Sequence, residues 1–401
     1  MQYRNRSFRT GLAVLAAAVG LAWAFPAWSF AATTQGVAGK NVSLGAWAPE
    51  SGPTTVLFAT SEGAAAYFKW VNAHGGIHGY HFNFTMVNDQ YNPALTPAAA
   101  RRLVTVDKVF AIVAGTGTPS SVAVLSYITG VGIPSIAPAS GDPSLTQPVR
   151  KNIYTVVPSY VNESAFQAQY AVTHLHSKSV AIIYQNDDIG KTGLAGVTKM
   201  LALHGMKPAT AVPFEPGTLA FIPYVARLKA SGAQTVIIWG SIPPFVPILK
   251  AAESIGYRPT WITYAFDADP SVVSQVPPAQ LANTYFDSWM PLPDDQGMAD
   301  YRQAIKQYYP QAKIGLLSVQ GWCLASVFGS AFADMVARRA TPSWSGLEHA
   351  LNGMKHFSNA YVHDLTFSPT NHQGLPAEFV MKYEHGAIKK VTPYLPLPVV
   401  H

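Results

Sequence analysis

The chain has 401 residues, of which 49% are hydrophobic and only 12% are charged, with a formal net charge of +6. This length allows two domains of ordinary size. The mild charge imbalance, without a clustered basic face, argues against a nucleic-acid binder. The only cysteine, Cys323, excludes an internal disulfide, and its apolar neighbours predict a small residue of the core.

The first 31 residues have the pattern of a secretory signal peptide. Arg4, Arg6 and Arg9 form a basic segment, Leu12–Phe25 is an apolar run, and Ser29–Ala31 is a small-x-small cleavage site. We expect cleavage after Ala31, export to the periplasm and a mature net charge of +3, because the removed segment carries three arginines and no acidic residue. The alternative is an uncleaved membrane anchor.

From Val42 onward, short apolar or alternating segments, polar turns and helical segments follow one another. The first series has predicted strands at Val42–Trp47, His81–Val87, Val109–Ala114 and Ile133–Ala137. Its predicted helices are one that ends at Gly75-Gly76, one that carries Arg101-Arg102, and Val122–Thr129. This order is typical of a parallel sheet with crossover helices.

A second series begins after Tyr154–Pro158. Its predicted strands are Val180–Tyr184, Ala209–Phe214, Thr235–Trp239 and Trp261–Tyr264, and its predicted helices are Glu163–His174, Leu194–Leu203, Phe221–Ala230 and Pro244–Ser254. Two α/β series predict two doubly wound, parallel-sheet lobes.

The remaining segments suggest how the two lobes share the chain. We expect helices Met298–Tyr308 and Val319–Val336 to return to the first lobe, and the β-rich tail Asp364–Tyr383 to join the second. The expected lobes are residues 32–157 plus 289–361, and residues 158–288 plus 362–401. Crossings near Pro158, Trp289 and Tyr361 would form a three-stranded hinge.

Aromatic residues stand at or just beyond the carboxyl ends of the predicted strands. They are Trp47, Tyr91, Tyr184, Trp239, Tyr264 and Phe266. Each one alone could simply cover the core, but together they predict a cleft with apolar walls and a few polar anchors.

Catalytic, cofactor-binding and metal-binding motifs are incomplete in this sequence. Gly115–Ser120 partly matches a dinucleotide-binding turn, but no acidic ribose partner follows, so its hydroxyls and N–H groups fit a polar or anionic ligand better. There is no complete phosphate loop or nucleophile elbow. The histidines His74, His78 and His81 span a glycine-rich loop and do not predict a zinc site. We therefore predict no catalysis, no cofactor and no metal.

Several segments together resemble type I periplasmic solute-binding proteins, most closely the branched-chain amino-acid (Leu/Ile/Val) binding family of ABC importers. They are Val42–Trp47 with Ser51-Gly52-Pro53, Val71–Gly79, Asn88–Pro93, Ile133–Ala139, Val180–Tyr184 and Asp364–Gly374. The resemblance covers nearly all of the mature chain. It implies two α/β lobes, three hinge crossings, and ligand capture by closure of the cleft.

The resemblance also carries ligand contacts onto this chain. The first-lobe anchors fall on Pro119, with Thr118 and Ser120 beside it, and on Gly141, with Ser140 and Ala139 before it; Trp47, Ser51 and Tyr91 would complete that wall. In the second lobe the family's contacts fall on Ile189 and Ser241, and the acid that pairs with a ligand ammonium falls on Ala265, with Asp267 two residues on. The strand-end pattern adds Tyr184, Trp239 and Phe266 as candidate contacts of that wall.

The alanine at position 265, where the family has an acidic residue, changes the expected ligand. An amino acid needs partners for both of its charges when it is buried, and the ammonium partner is missing at Ala265. We predict a monomeric periplasmic receptor that delivers a small molecule to an ABC permease in the inner membrane. Its ligand is an amino acid or, in preference, a more apolar, aromatic or carboxylate-bearing compound. The alternatives are a ligand sensor of the same fold and a secreted α/β enzyme.

Overall fold

The structure is a computed structural model of the chain, and it describes residues 34–240, 244–338 and 341–400. The predicted signal peptide with its cleavage site at Ala31, and the predicted contact Ser241, lie outside the described residues. The fold is built from two sheets, each flanked by helices.

The first sheet contains the strands β1 (Val37–Ala38), β2 (Asn41–Ala48), β3 (His81–Asn88), β4 (Ala111–Val113), β5 (Ser135–Ile136) and β6 (Ile153–Tyr154). The short β1 pairs antiparallel with β2, and the other strands are parallel in the order β3-β2-β4-β5-β6. The helices that follow its strands are α1 (Phe58–Ala73), α2 (Thr96–Thr105), α3 (Thr118–Ala123) and α4 (Leu125–Val131).

The second sheet contains the strands β7 (Val180–Gln185), β8 (Ala211–Phe214), β9 (Thr235–Trp239), β10 (Thr260–Tyr264), β11 (Thr284–Ser288), β12 (Ala377–Glu384), β13 (Ala387–Lys390) and β14 (Leu395–Pro396). Its parallel strands have the order β8-β7-β9-β10-β11, and β12 continues the sheet antiparallel to β11. Its helices are α5 (Tyr160–Thr173), α6 (Asp188–Leu203), α7 (Ile222–Ala230), α8 (Phe245–Ser254), α9 (Pro270–Val273) and α10 (Pro278–Leu281).

The parallel strands of both sheets have the same order, in which the second strand of each series lies outside the first. Each sheet therefore has a topological switch point beside its first strand, β2 in one and β7 in the other. In doubly wound sheets a ligand binds in the crevice beyond the carboxyl ends of the strands at this point.

The chain returns to the first sheet after β11 and then goes back to the second. The helices α11 (Ala299–Tyr308), α12 (Leu316–Ala337) and α13 (Trp344–Asn352) follow β11, and both α11 and α12 pack against α1. The chain then rejoins the second sheet at β12. Helices α11 and α12 thus pack on the first-sheet helix α1, and the end of the predicted tail pairs with the second sheet as β12. The earlier part of that tail instead bonds to Thr155, directly after β6, through His372 and Gly374. The lobe boundaries stay a prediction.

Most predicted elements are present, with differences at their ends. The predicted helix Val122–Thr129 is instead two short helices, α3 and α4. Helix α6 begins six residues before its predicted start, because the Asp187 carboxylate accepts a hydrogen bond of 2.9 Å from the Gly190 N–H and caps it. The tail forms only isolated bridges before its continuous strand begins at Ala377.

Helix α12 packs against α1 beside the first sheet. It is long and apolar enough, by length and composition alone, to cross a membrane, but 83% of its most apolar window is buried inside the protein. Cys323 lies on this helix and is fully buried, as predicted for a core residue. Ser318 and Gln320 interrupt its apolar sequence and are also buried. We therefore interpret α12 as a core helix.

Candidate functional site

A cavity of about 80 Å³ lies where the carboxyl ends of the two sheets face each other. Residues that follow six strands reach it: Tyr91 after β3, Thr116–Thr118 after β4, Ala139 after β5, Ile189 after β7, Gly240 after β9 and Phe266 after β10. The cavity thus lies at the two switch points, where this strand order places a ligand site.

The walls of the cavity are mostly apolar and aromatic, with a few polar groups. Apolar contacts come from Leu57, Tyr91, Val157, Tyr160, Ile189, Trp239, Tyr264, Phe266, Trp289 and Met290. Polar groups come from Thr60, Thr116, Thr118, Glu163, Asp287, Ser288 and Gln320. Among the described residues no lysine, arginine or histidine lines the cavity. This composition is typical of a small-molecule site.

A hydroxyl network joins the two halves of the molecule at the cavity. The Thr118 hydroxyl lies 2.9 Å from the Tyr160 hydroxyl and 2.8 Å from the Ser140 hydroxyl. Tyr160 is the first residue of α5, directly after the chain crosses to the second sheet, and its N–H donates to the Gly141 carbonyl at 2.9 Å. Burial raises the pKa of Tyr160, so its phenol stays neutral and can donate.

Three aromatic rings form one wall from the second sheet. The rings of Trp239 and Tyr264 meet edge to face at 5.9 Å, and those of Tyr264 and Phe266 at 5.7 Å. The Trp239 indole donates to the Ile189 carbonyl at 3.0 Å, and the Tyr264 hydroxyl donates to the Gly240 carbonyl. Their polar atoms are therefore engaged within the protein, and the wall presents apolar ring surface.

On the opposite wall, Tyr91 is held in a left-handed backbone conformation with φ of 57°. Its N–H donates to the Asp89 carboxylate at 3.0 Å, which fixes this turn. The ring lies against Gly117, where an added Cβ would be 2.4 Å from a ring carbon and where φ is also positive, at 104°. Only glycine at position 117 therefore allows Tyr91 to reach the cavity.

The structure brings six of the predicted site residues to the cavity, namely Tyr91, Thr118, Ala139, Ile189, Trp239 and Phe266. Whether any of them contacts a ligand stays a prediction. Tyr264 and Ala265, which the sequence analysis also named, line it as well. The others that lie in the described residues, outside the cavity lining, have identifiable local roles.

Ser120 and Ser140 are used by the protein itself. The Ser120 hydroxyl donates to the buried Asp89 carboxylate at 2.6 Å, and Thr96 donates to the same oxygen at 2.7 Å. Ser140 bonds to Thr118 and accepts from the Asp142 N–H at 3.2 Å. These hydroxyls hold the loops that carry the cavity wall.

Trp47, Ser51 and Tyr184 also lie elsewhere. Trp47 is fully buried in a core cluster of the first sheet, because its side chain points from β2 into the sheet face and not past its end. The Ser51 hydroxyl accepts from Asn88 at 2.7 Å in a surface turn, and Tyr184 packs on the core of the second sheet. The two remaining predicted anchors, Pro119 and Gly141, are likewise not part of the lining.

Asp267 does not reach the main cavity. Its carboxylate accepts from the Thr263 hydroxyl at 2.6 Å, and burial raises its pKa to about 8. It lines a neighbouring, mostly apolar cavity of about 210 Å³, which shares Leu57, Tyr264 and Phe266 with the main one. The shared residues make the two cavities neighbours across one wall.

Sequence reasoning missed the acidic groups of the cavity. Glu163, from the first turn of α5, and Asp287, from the end of β11, both line it. Glu378 on β12 is fully buried beside them. Burial raises the pKa of all three carboxyl groups, and their mutual repulsion raises those of Glu163 and Glu378 further. The available signals were Asp287 directly after the apolar Phe286, and Glu378 directly before the apolar run 379–381.

Two facing α/β sheets with a cavity at their switch points define a two-lobed binding protein. A family model described as "Periplasmic binding protein" matches residues 41–387. The chain belongs to this family, and the predicted type I fold is confirmed.

Curated relatives agree with the family. An "Amino acid binding protein" of Pseudomonas aeruginosa is 28% identical over 281 residues, which cover 70% of this chain and 70% of that protein. A "Leu/Ile/Val-binding protein homolog 3" of Brucella melitensis is 27% identical over 218 residues, which cover 53% of this chain and 58% of the relative. The second match therefore spans little more than half the length of its relative.

Solved structures share the fold at low sequence identity. A branched chain amino acid ABC transporter structure from Thermus thermophilus with bound valine has a TM-score of 0.80 at 19% identity, covering 90% of this chain and 97% of that one. A fatty acid ABC transporter substrate-binding protein from Thermomonospora curvata has a TM-score of 0.77 at 17% identity, covering 91% and 97%.

Proposed function

We propose that the protein is the solute receptor of an ABC importer, which binds a small molecule in the cleft and delivers it unchanged to a permease. The observation that carries this proposal is the cavity lined from the carboxyl ends of both sheets. Membership of the periplasmic binding protein family supports it. The proposal includes a periplasmic, monomeric protein, released from a signal peptide after Ala31, with lobes 32–157 plus 289–361 and 158–288 plus 362–401.

Capture by cleft closure follows from how the halves are joined. The chain passes between the sheets after β6, after β11 and before β12 within the described residues. Val157 of the first connection and Trp289 and Met290 of the second line the cavity. Hinge closure works through a few residues in such connections. The Tyr160–Thr118 hydrogen bond lies next to the first of them and joins the two walls that would close on a solute.

The proposed solute has an apolar or aromatic body larger than the side chain of leucine. The aromatic wall of Trp239, Tyr264 and Phe266 offers ring surface with its polar atoms already bonded. The neighbouring apolar cavity shares part of this wall, so a long body could extend toward it. The fold neighbour named as a fatty acid transporter component supports such a body without showing it.

An α-amino acid is a second candidate, because one observation favours it. Ala265 has no acidic group to pair with an ammonium, but Glu163 and Asp287 each place a carboxyl group in the cavity wall. An ammonium group could bind there. The relatives named as amino acid and Leu/Ile/Val-binding proteins are consistent with this candidate.

The experiment is to identify what the purified protein binds. Small molecules released from the mature protein are identified by mass spectrometry, and its melting temperature is then measured with leucine, valine, aromatic carboxylates and medium-chain fatty acids. We expect stabilisation by an aromatic or aliphatic carboxylate and recovery of the solute unchanged. Tight binding of leucine or valine would replace the first candidate by the second, and conversion of the solute to a product would overturn both.

A second experiment is needed to distinguish an importer receptor from a ligand sensor. A sensor and an importer receptor would bind solute in the same way. Uptake of the identified solute by cells, lost when the receptor is deleted, supports transport, while intact uptake with a lost transcriptional response supports sensing.

A further inference from the structure

Three carboxyl groups meet beside the cavity, where helix α5 packs over the second sheet. One ligand oxygen each from Glu163, Asp287 and Glu378 lies within 4.8 Å of the others. Asp287 pairs with Val380 across the antiparallel strands β11 and β12, so Glu378, two residues away, points to the same face as Asp287. Two strands and a helix thus direct acidic groups to one point.

A fourth oxygen-bearing side chain accompanies them. Gln167 lies one helical turn after Glu163, on the same face of α5. Its Nε2 donates to the Asp287 carboxylate at 2.9 Å, which places its amide against the cluster. Gln167 is fully buried, and its Oε1 has no hydrogen-bond partner among the described residues.

The cluster has more acceptors than donors. Both oxygens of Glu378 and one of Asp287 receive no hydrogen bond from an N–H, amide or hydroxyl donor in the described part of the chain, so these two facing carboxyl groups can bond to each other only by sharing a proton. No lysine, arginine or histidine of these residues forms an ion pair with any of the three acids. Buried polar groups are normally satisfied, and unpaired buried charges are costly. The three carboxyl groups therefore need either protons or a positively charged partner, and one bound cation would serve all three.

We propose that Glu163, Asp287 and Glu378, together with the Gln167 carbonyl, bind a divalent cation that prefers oxygen ligands, with Ca²⁺ as the best fit. Carboxylate and amide oxygens are the ligands of such ions. Two oxygens on opposite sides of a Ca²⁺ ion are about 4.8 Å apart, because each bond is roughly 2.4 Å long. The three acidic oxygens lie within this span of one another, so one ion could reach all of them.

The ammonium group of a solute fits the cluster less well than a small ion. Glu163 and Asp287 line the cavity, but Glu378 and Gln167 do not. A solute in the cleft could therefore reach only the front of the cluster and would leave the Glu378 oxygens unpaired. An ion located among the side chains could contact all three acids.

The site has a consequence for the solute that rests on the proposed function. Because no basic side chain among the described residues lines the cavity, a cation held by Glu163 and Asp287 would supply its full positive charge. A carboxylate-bearing solute could then complete the coordination of the ion. Solute affinity would depend on the cation.

The test uses the mature protein after treatment with a chelator and dialysis. Calorimetric titration with CaCl₂ is expected to show one ion per chain. The variant Glu378→Gln keeps the shape of the side chain and is expected to weaken binding by roughly tenfold or more, because it removes one ligand charge. The matched control is Glu50→Gln at an exposed position, which should leave the affinity unchanged. Absence of binding to wild type, or equal affinity in Glu378→Gln, would overturn the proposal.

A second measurement needs no variant. Tb³⁺ resembles Ca²⁺ in size and ligand preference, and Trp289 lines the same cavity as two of the acids. We expect emission from Tb³⁺ on excitation of tryptophan, and its displacement by Ca²⁺; no sensitised emission would count against the site. Solute titrations with Ca²⁺ and with chelator separate the two proposals. Solute binding that persists in chelator is consistent with the receptor function and refutes only the dependence of solute affinity on the cation.

Discussion

Replacing Asp267 by asparagine is predicted to increase the free energy of unfolding at neutral pH. The carboxyl group is 5% exposed, and its pKa is raised to about 8 in the folded protein, chiefly by burial. Its pKa in the unfolded chain is about 3.9. The folded state therefore holds the proton more tightly, so stability from this group is full below about pH 4 and is lost as the pH rises toward 8.

The magnitude follows from the difference between the two pKa values. Each unit corresponds to about 1.36 kcal/mol, so at pH 7 the buried carboxyl of Asp267 costs about 4 kcal/mol relative to a group that stays neutral. Asparagine stays neutral and can still accept the hydrogen bond from Thr263. We expect Asp267→Asn to match wild type near pH 4 and to be more stable by several kcal/mol at pH 7.

The assay is chemical denaturation of both proteins at a series of pH values. The difference between them isolates Asp267, because every other titrating group is common to both. Asp294→Asn, at an exposed position, is the matched control for the same change of side chain. A difference between Asp267→Asn and wild type that stays constant from pH 4 to pH 8 would refute the reasoning.

Two further predictions concern the loops of the cavity wall. Ser120→Ala removes a donor to the buried Asp89 carboxylate and should lower the free energy of unfolding, measured by denaturation, by about 1–3 kcal/mol. Solute affinity should stay within about twofold of wild type. A large loss of affinity with unchanged stability would instead make Ser120 a ligand contact. Gly117→Ala should both destabilise the fold by about 1–3 kcal/mol and weaken solute binding, because its Cβ would displace the Tyr91 ring. Gly132→Ala has a similar positive φ but no neighbour within 4 Å, so it should reproduce only the backbone cost; equal effects of the two variants on binding would contradict the role given to Tyr91.

Local pattern was enough to predict most of the fold. The strand Thr235–Trp239 has the predicted bounds, because it is a fully buried run with turn residues on both sides. The strands Thr284–Ser288 and Ile153–Tyr154 were not predicted. The first carries a polar end that contains Asp287, and the second is only two residues long. Neither has the apolar period on which the prediction depended.

The site was less predictable than the fold, because which groups face the cavity depends on tertiary packing. Residues just past strand ends, such as Tyr91 and Phe266, follow from topology alone. Ser120 could not be separated from Thr118 by sequence, since only the fold shows that Asp89 takes its hydroxyl. Glu163 could not be predicted as a cavity residue, because the direction of its side chain depends on how α5 packs on the sheet.

The central claim is that the cavity between the two sheets holds the solute, and one measurement tests it most directly. The solute that co-purifies with the protein is titrated calorimetrically into wild type and into Ala139→Trp, which fills the cavity from its wall. Ala282→Trp, at an exposed position, is the control. We predict one solute per chain for wild type and for Ala282→Trp, and no measurable binding to a folded Ala139→Trp protein. Binding to Ala139→Trp with wild-type affinity would show that the solute site lies elsewhere.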